Sequence, residues 1–83
     1  MEYSLSDHAE LVISERGIKL LYIERTLETP SLIADDRIDK ELQHRLRVIP
    51  EYEDRILRVI VNVSKNPIHI VTAYFDRSMR GKL

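Results

Sequence analysis

Apolar residues recur at helical spacing in the first third of this chain and at alternate positions in most of the remainder. Ser6 and Asp7 are N-cap candidates ahead of Leu11, Val12 and Ile13, and Glu10 follows Asp7 by three residues, close to a capping box. Gly17 is placed to stop that helix. A second helix is predicted from about Lys19, with Leu20, Leu21, Ile23 and Leu27 as its buried stripe and Glu24, Arg25 and Glu28 outside. Pro30 ends it, because the residue before a proline avoids helical backbone angles.

The period then changes to two. Leu42, His44, Leu46 and Val48 alternate with Gln43, Arg45, Arg47 and Ile49, the signature of a half-buried strand. After a polar turn at 50–54, Arg55 to Val63 forms a β-branched strand. Leu57, Val59, Val61 and Val63 share one face, and Ile56, Arg58, Ile60 and Asn62 the other. A turn at 64–67 leads into a last strand, Ile68 to Phe75. The segments around Tyr3 to Leu5 and Ser31 to Ile33 are candidate short strands. Two helices followed by three strands on short turns predict one α+β domain over residues 1–83, an antiparallel meander with helices on one face.

Composition narrows the chemistry. With 43% hydrophobic and 33% charged residues the chain reads as an ordinary globular domain, and no apolar run is long enough for a membrane span. The start, Met-Glu-Tyr-Ser-Leu-Ser, lacks signal or transit character, so a cytoplasmic location is the default expectation. Cysteine is absent, which removes disulfides, thiol catalysis and thiolate metal sites. The histidines, His8, His44 and His69, fall in three separate elements without metal-ligand spacing, and two glycines cannot build a phosphate loop. No metal or cofactor is therefore expected. Asp35, Asp36 and Asp39 read as a solvated acidic loop.

Charge is divided along the chain. Residues 1–41 hold five Lys/Arg against ten Asp/Glu, and residues 42–83 hold eight against four, so the halves carry −5 and +4. Six of those eight cations are arginines, Arg45, Arg47, Arg55, Arg58, Arg77 and Arg80, and the guanidinium fork suits phosphate. Arg58 interrupts an apolar strand face and must find an anion or open onto a groove. Arg45 and Arg47 share a strand face. Thr72 and Tyr74 point the same way from the last strand, with His69 on the opposite face. His44 reads as a packed, hydrogen-bonded histidine, and His8, in the first turn of a helix, as a candidate neutral base.

Taken in order, His8-Ala9, Glu15-Arg16-Gly17-Ile18, Thr29-Pro30, Arg55-Ile-Leu57-Arg58-Val59 and Ile70-Val71-Thr72-Ala73-Tyr74 resemble a family of small bacterial domains of unknown function. That family is in turn similar to the BrnT and RelE type toxins. The resemblance spans nearly the whole chain. It implies two N-terminal helices packed on a curved antiparallel sheet of three or four strands. It also implies a ribonuclease that cleaves messenger RNA, often on the ribosome, and is neutralised by an antitoxin protein. On this reading His8, Arg58, Thr72 and Tyr74 are the catalytic candidates, and Arg16, Arg45, Arg47 and Arg77 would bind substrate. The near-neutral net charge departs from the strongly basic toxins of this kind. Three functions are therefore weighed: a metal-independent endoribonuclease; a non-catalytic protein-binding module or degenerate toxin, whose exposed sheet edge or opposed halves would favour a homo-oligomer; and a structural or regulatory partner with no nucleic-acid role.

Overall fold

Ser6 opens the first helix as its sequence predicts: the side-chain oxygen accepts from the backbone N–H of Ala9 at 2.9 Å. The helix, α1 (Asp7–Arg16), ends at Gly17, which adopts φ +64°. There the N–H groups of Gly17 and Ile18 close back on the carbonyls of Ser14 and Ile13 at 3.2 and 3.0 Å, a Schellman stop. Ile18 and Ile13, joined by that stop, both belong to the hydrophobic core. The second helix, α2, covers Leu20–Glu28. The computed structural model describes residues 1–83.

Strands β1 (Tyr3–Leu5), β2 (Leu32–Asp35), β3 (Leu42–Ile49), β4 (Arg55–Asn62) and β5 (Ile68–Phe75) form one five-stranded sheet in the order β1-β5-β4-β3-β2. The sheet is mixed. β1 runs parallel to β5, with Tyr3 opposite Ile68, and the remaining pairs are antiparallel. The expected fold of two N-terminal helices on an antiparallel sheet of three or four strands is thus overturned. A strand precedes the helices, both helices form the connection between β1 and β2, and each short strand supplies one edge of the sheet. Three residues are too few to show a period. β1 is also held by pairing with a strand some 65 positions away in the chain, which no local pattern reports.

Both helices cover one face. Ala9, Ile13, Ile18, Tyr22, Ile23 and Leu27 pack against Ile49, Leu57, Val59, Val61, Ile70 and Ala73 to make the core. The stripe of α2 is shifted from the predicted one. Tyr22, Ile23, Thr26 and Leu27 are buried, whereas Leu20 and Leu21 are 47% and 59% exposed. Thr26 fits inside because its hydroxyl donates to the carbonyl of Tyr22 at 2.8 Å.

The opposite face carries no helix. Residues paired across adjacent strands share a face, which places Leu46, Arg58 and Tyr74 in one row and Ala34, His44, Ile60 and Thr72 in the next. Leu46 and Ile56 are fully buried there, so this open face has a small apolar floor of its own. Between β4 and β5 the register skips one residue: Ile60 pairs with Thr72 and Val61 with Ile70, leaving Val71 unpaired in a bulge. The bulge brings His69 onto the same face as Thr72, against the strict alternation expected from the sequence.

Candidate functional site

Four side chains from neighbouring strands and strand ends form a continuous polar chain across the open face. His44 on β3 donates through Nε2 to the Asp36 carboxylate at 2.7 Å, and its Nδ1 lies 2.7 Å from an Nη of Arg58. Arg58 on β4 donates in turn from Nε to one oxygen of Asp76 at 2.8 Å, and its other Nη lies in ion-pair contact with the same oxygen, also at 2.8 Å. The second Asp76 oxygen accepts from the backbone N–H and the hydroxyl of Ser78 at 2.9 and 2.6 Å.

Donor rules fix the protonation pattern of this chain. Arginine has no acceptor, so Nδ1 of His44 must be the acceptor, and Nε2 carries the proton given to Asp36. Arg58 has five N–H groups; two hydrogen-bond here and the second Nη is in ion-pair contact with Asp76, which leaves an N–H on each Nη for a further anion. Its side chain keeps 17% of its surface exposed.

The two carboxylates at the ends are held ionised. The backbone N–H of Asp39, then His44 and the N–H of Ile38, lower Asp36 from the ordinary carboxylate value of 3.8 to about 2. The Ser78 hydroxyl, ahead of Arg58, lowers Asp76 against the opposing effect of burial.

The sequence-predicted residues divide into three sets. Arg58, Thr72 and Tyr74 come together, with Tyr74 directly opposite Arg58 and Thr72 one row away beside Ile60. His8 is exposed in the first turn of α1, in the helical layer, whereas Arg58 occupies the other face of the sheet. Arg16, Arg45 and Arg47 act within the molecule. Arg16 donates to the carbonyl of Ala73 at 2.8 Å. Arg45 donates to the carbonyl of Leu27 at 2.9 Å, and Arg47 to the carbonyl and hydroxyl oxygens of Thr29, so both satisfy groups that the end of α2 leaves open.

Arg77 is exposed and lines a cavity of about 260 Å³ at the end of the sheet, together with Arg55, Ile56, Phe75, Asp76 and Arg80. Asp76 belongs both to this cavity and to the Arg58 chain. The cavity therefore opens beside the polar chain.

Sequence reasoning missed His44 and Asp76 as partners of Arg58, and Asp36 as the partner of His44. One signal was present: the β3–β4 hairpin turns through residues 50–54, and Ile49 opposite Arg55 sets His44 diagonal to Arg58. Asp36 uses its side chain to bind the N–H groups of Ile38 and Asp39 at 3.1 and 2.9 Å as well as His44, so the acidic loop is an ordered turn. No group of three or more His, Asp or Glu side chains is arranged to hold a metal ion, and no helix is long and apolar enough to cross a membrane.

Fold and site together define a small α+β domain with an arginine-centred polar chain on its uncovered sheet face. The chain belongs to the family described as Domain of unknown function (DUF4258), whose model matches residues 5–75. No curated protein and no solved structure matches it. The family description carries no activity and no tie to the BrnT or RelE type toxins.

Proposed function

We propose that this protein is a metal-independent endoribonuclease that binds the scissile phosphate at Arg58. One observation carries the reading. Arg58 is fixed on an open sheet face with two unused N–H groups, between a histidine of defined tautomer and Tyr74. A phosphate oxygen taking those two donors would have its developing charge stabilised by a preorganised cation.

The groups for proton transfer stand beside it. When the phosphate takes the Arg58 Nη that His44 now faces, while Asp76 keeps the guanidinium in place, Nδ1 of His44 is freed as an acceptor for the 2′-hydroxyl proton. The 2′-oxygen forms a bond to phosphorus, the bond from phosphorus to the 5′-oxygen breaks, and the Tyr74 hydroxyl supplies the proton that oxygen takes. The products are a 2′,3′-cyclic phosphate and a free 5′-hydroxyl. The motifs holding Arg58, Thr72 and Tyr74 resemble a family of small domains that is in turn similar to the toxin ribonucleases, which supports the reading, and an antitoxin partner belongs to the same proposal.

Labelled RNA incubated with the protein in EDTA, both free and on translating ribosomes, tests this. Cleavage by wild type and its loss in Arg58→Lys and His44→Gln, with unchanged circular dichroism, is the expected result. Intact RNA in both settings overturns it.

One observation favours the alternative of a protein-binding module. β2 is an open edge with Leu32 and Ile33 exposed at 38% and 51%, a surface onto which another strand can pair.

A further inference from the structure

The cavity beside Asp76 is one of two that meet at a single aromatic ring. The second, of about 290 Å³, lies toward the helices and is lined by residues that include Arg16, Lys19, Tyr22, Tyr52 and Phe75. Phe75 lines both. Tyr52 leans on Phe75 with ring centroids 4.8 Å apart, and the Arg55 guanidinium sits 4.8 Å from the Tyr52 ring centre. The two cavities are thus halves of one groove, divided by a ridge of two aromatic rings and an arginine.

Its charge is one-sided. Five cations line it: Arg55, Arg77 and Arg80 on one side of the ridge, Arg16 and Lys19 on the other. The acids present, Asp76 and Glu51, are already neutralised by residues that do not line it. Arg58 holds Asp76, and Arg25 grips Glu51 through two hydrogen bonds of 2.8 and 2.7 Å. Of the five cations only Arg55 has an acidic partner, Glu53 at 3.3 Å, in an exposed pair.

We infer that this groove is the path of single-stranded RNA. The exposed Arg16, Lys19, Arg77 and Arg80 and the half-buried Arg55 follow a phosphate backbone, and the Tyr52–Phe75 ridge between them offers a stacking surface to a base. A strand paired in a duplex cannot give its bases to such a ridge, so the unpaired form is selected. An acidic protein segment would match the charge and make no use of the aromatic ridge. The inference rests on the ribonuclease reading for what lies at Arg58, and deepens it by naming the single-stranded substrate and the course it takes past the polar chain.

Fluorescence anisotropy with a labelled single-stranded 2′-O-methyl oligonucleotide tests the groove apart from the chemistry, because the methylated oxygen cannot attack. Wild type is expected to bind it with a steep salt dependence and to bind a duplex of equal length far less well. The Arg77→Ala, Arg80→Ala double variant should weaken binding roughly ten-fold and flatten the salt dependence by about 0.7 of a log unit for each phosphate it no longer neutralises. Tyr52→Ala should weaken it about ten-fold with no change in salt slope. Lys65→Ala, at the opposite end of β4, should bind as wild type.

Failure of the oligonucleotide to bind, or equal binding of the duplex with no effect of Tyr52→Ala, overturns the inference. So does a polyglutamate peptide that binds as tightly and is indifferent to Tyr52→Ala, which would assign the groove to an acidic protein. Tight binding of the methylated strand with ordinary RNA left intact keeps the groove and removes the nuclease. Cleavage undiminished in the Arg77/Arg80 double variant keeps the nuclease and removes the groove.

Discussion

Nδ1 of His44 accepts a hydrogen bond from Arg58 at 2.7 Å, so each residue fixes the state of the other. The imidazole is held with its proton on Nε2, and the guanidinium is held back from solvent. Asp76 completes the clamp from the other side at 2.8 Å. Removing Arg58 leaves a half-buried carboxylate without its cation. Arg58→Ala is therefore expected to cost about 1–3 kcal/mol in urea denaturation, with Asp76→Ala costing less than that on the Arg58→Ala background than on wild type. Additive losses in the double variant would show that the pair is not coupled.

Acid should loosen the same chain from its other end. Asp36 has its folded pKa lowered to about 2, chiefly by the N–H of Asp39 and by His44, so its ionised form is favoured in the fold. A depressed carboxylate adds stability that is complete above the ordinary carboxylate range and is lost as pH falls from about 4 toward 2. Denaturation midpoints measured at pH 7, 4 and 2.5 should fall more steeply for wild type than for Asp36→Asn. Parallel curves would remove Asp36 from the acid response.

Arg45 and Arg47 look on the sequence like substrate arginines, and the fold gives them another task. They close the carbonyls at the end of α2, at Leu27 and Thr29. Replacing either with alanine is expected to lower stability by about 1–2 kcal/mol and to leave RNA cleavage per folded molecule unchanged. A fall in cleavage with stability intact would return them to the substrate.

Gly17 holds φ at +64° with nothing within 4 Å of where a side chain would begin, so only the backbone angle resists substitution. Gly17→Ala is expected to cost about 1 kcal/mol, read as a shift in thermal midpoint with no change in the crossing from α1 to α2. A loss of several times that size would mean the junction is packed.

The helices, the three long strands and the capping residues were legible because each announces itself within a dozen residues: Ser6 before a helix, Gly17 after it, alternation from Leu42 to Ile49. The edges were not. β1 has three residues and pairs with the far end of the chain, and the exposed Leu20 and Leu21 mimicked a buried stripe that Tyr22 and Thr26 in fact supply.

In the site, Arg58 stood out as a charge on an apolar face, and Thr72 and Tyr74 accompanied it. Its partners did not stand out. Asp36 and Asp76 lie in turns, where acidic residues are common, and their reach to Arg58 and His44 depends on how four strands are laid side by side. Arg16, Arg45 and Arg47 each donate to a carbonyl of their own chain, which nothing in their spacing announces. Composition counts a guanidinium and cannot tell whether a carbonyl of its own chain already occupies it.

Val71 is the residue that the ladder leaves over, and everything after it is turned by half a strand repeat. Thr72 and Tyr74 reach the open face, and Ala73 and Phe75 the core, only because that one position is uncounted. Taking it out would set Ile70 beside Thr72 in an unbroken ladder and leave Tyr74 and Phe75 on the faces they now occupy. The last strand therefore carries one residue more than its two faces need, and a gap of a single residue at that position leaves the inside of the protein and its open surface where they are.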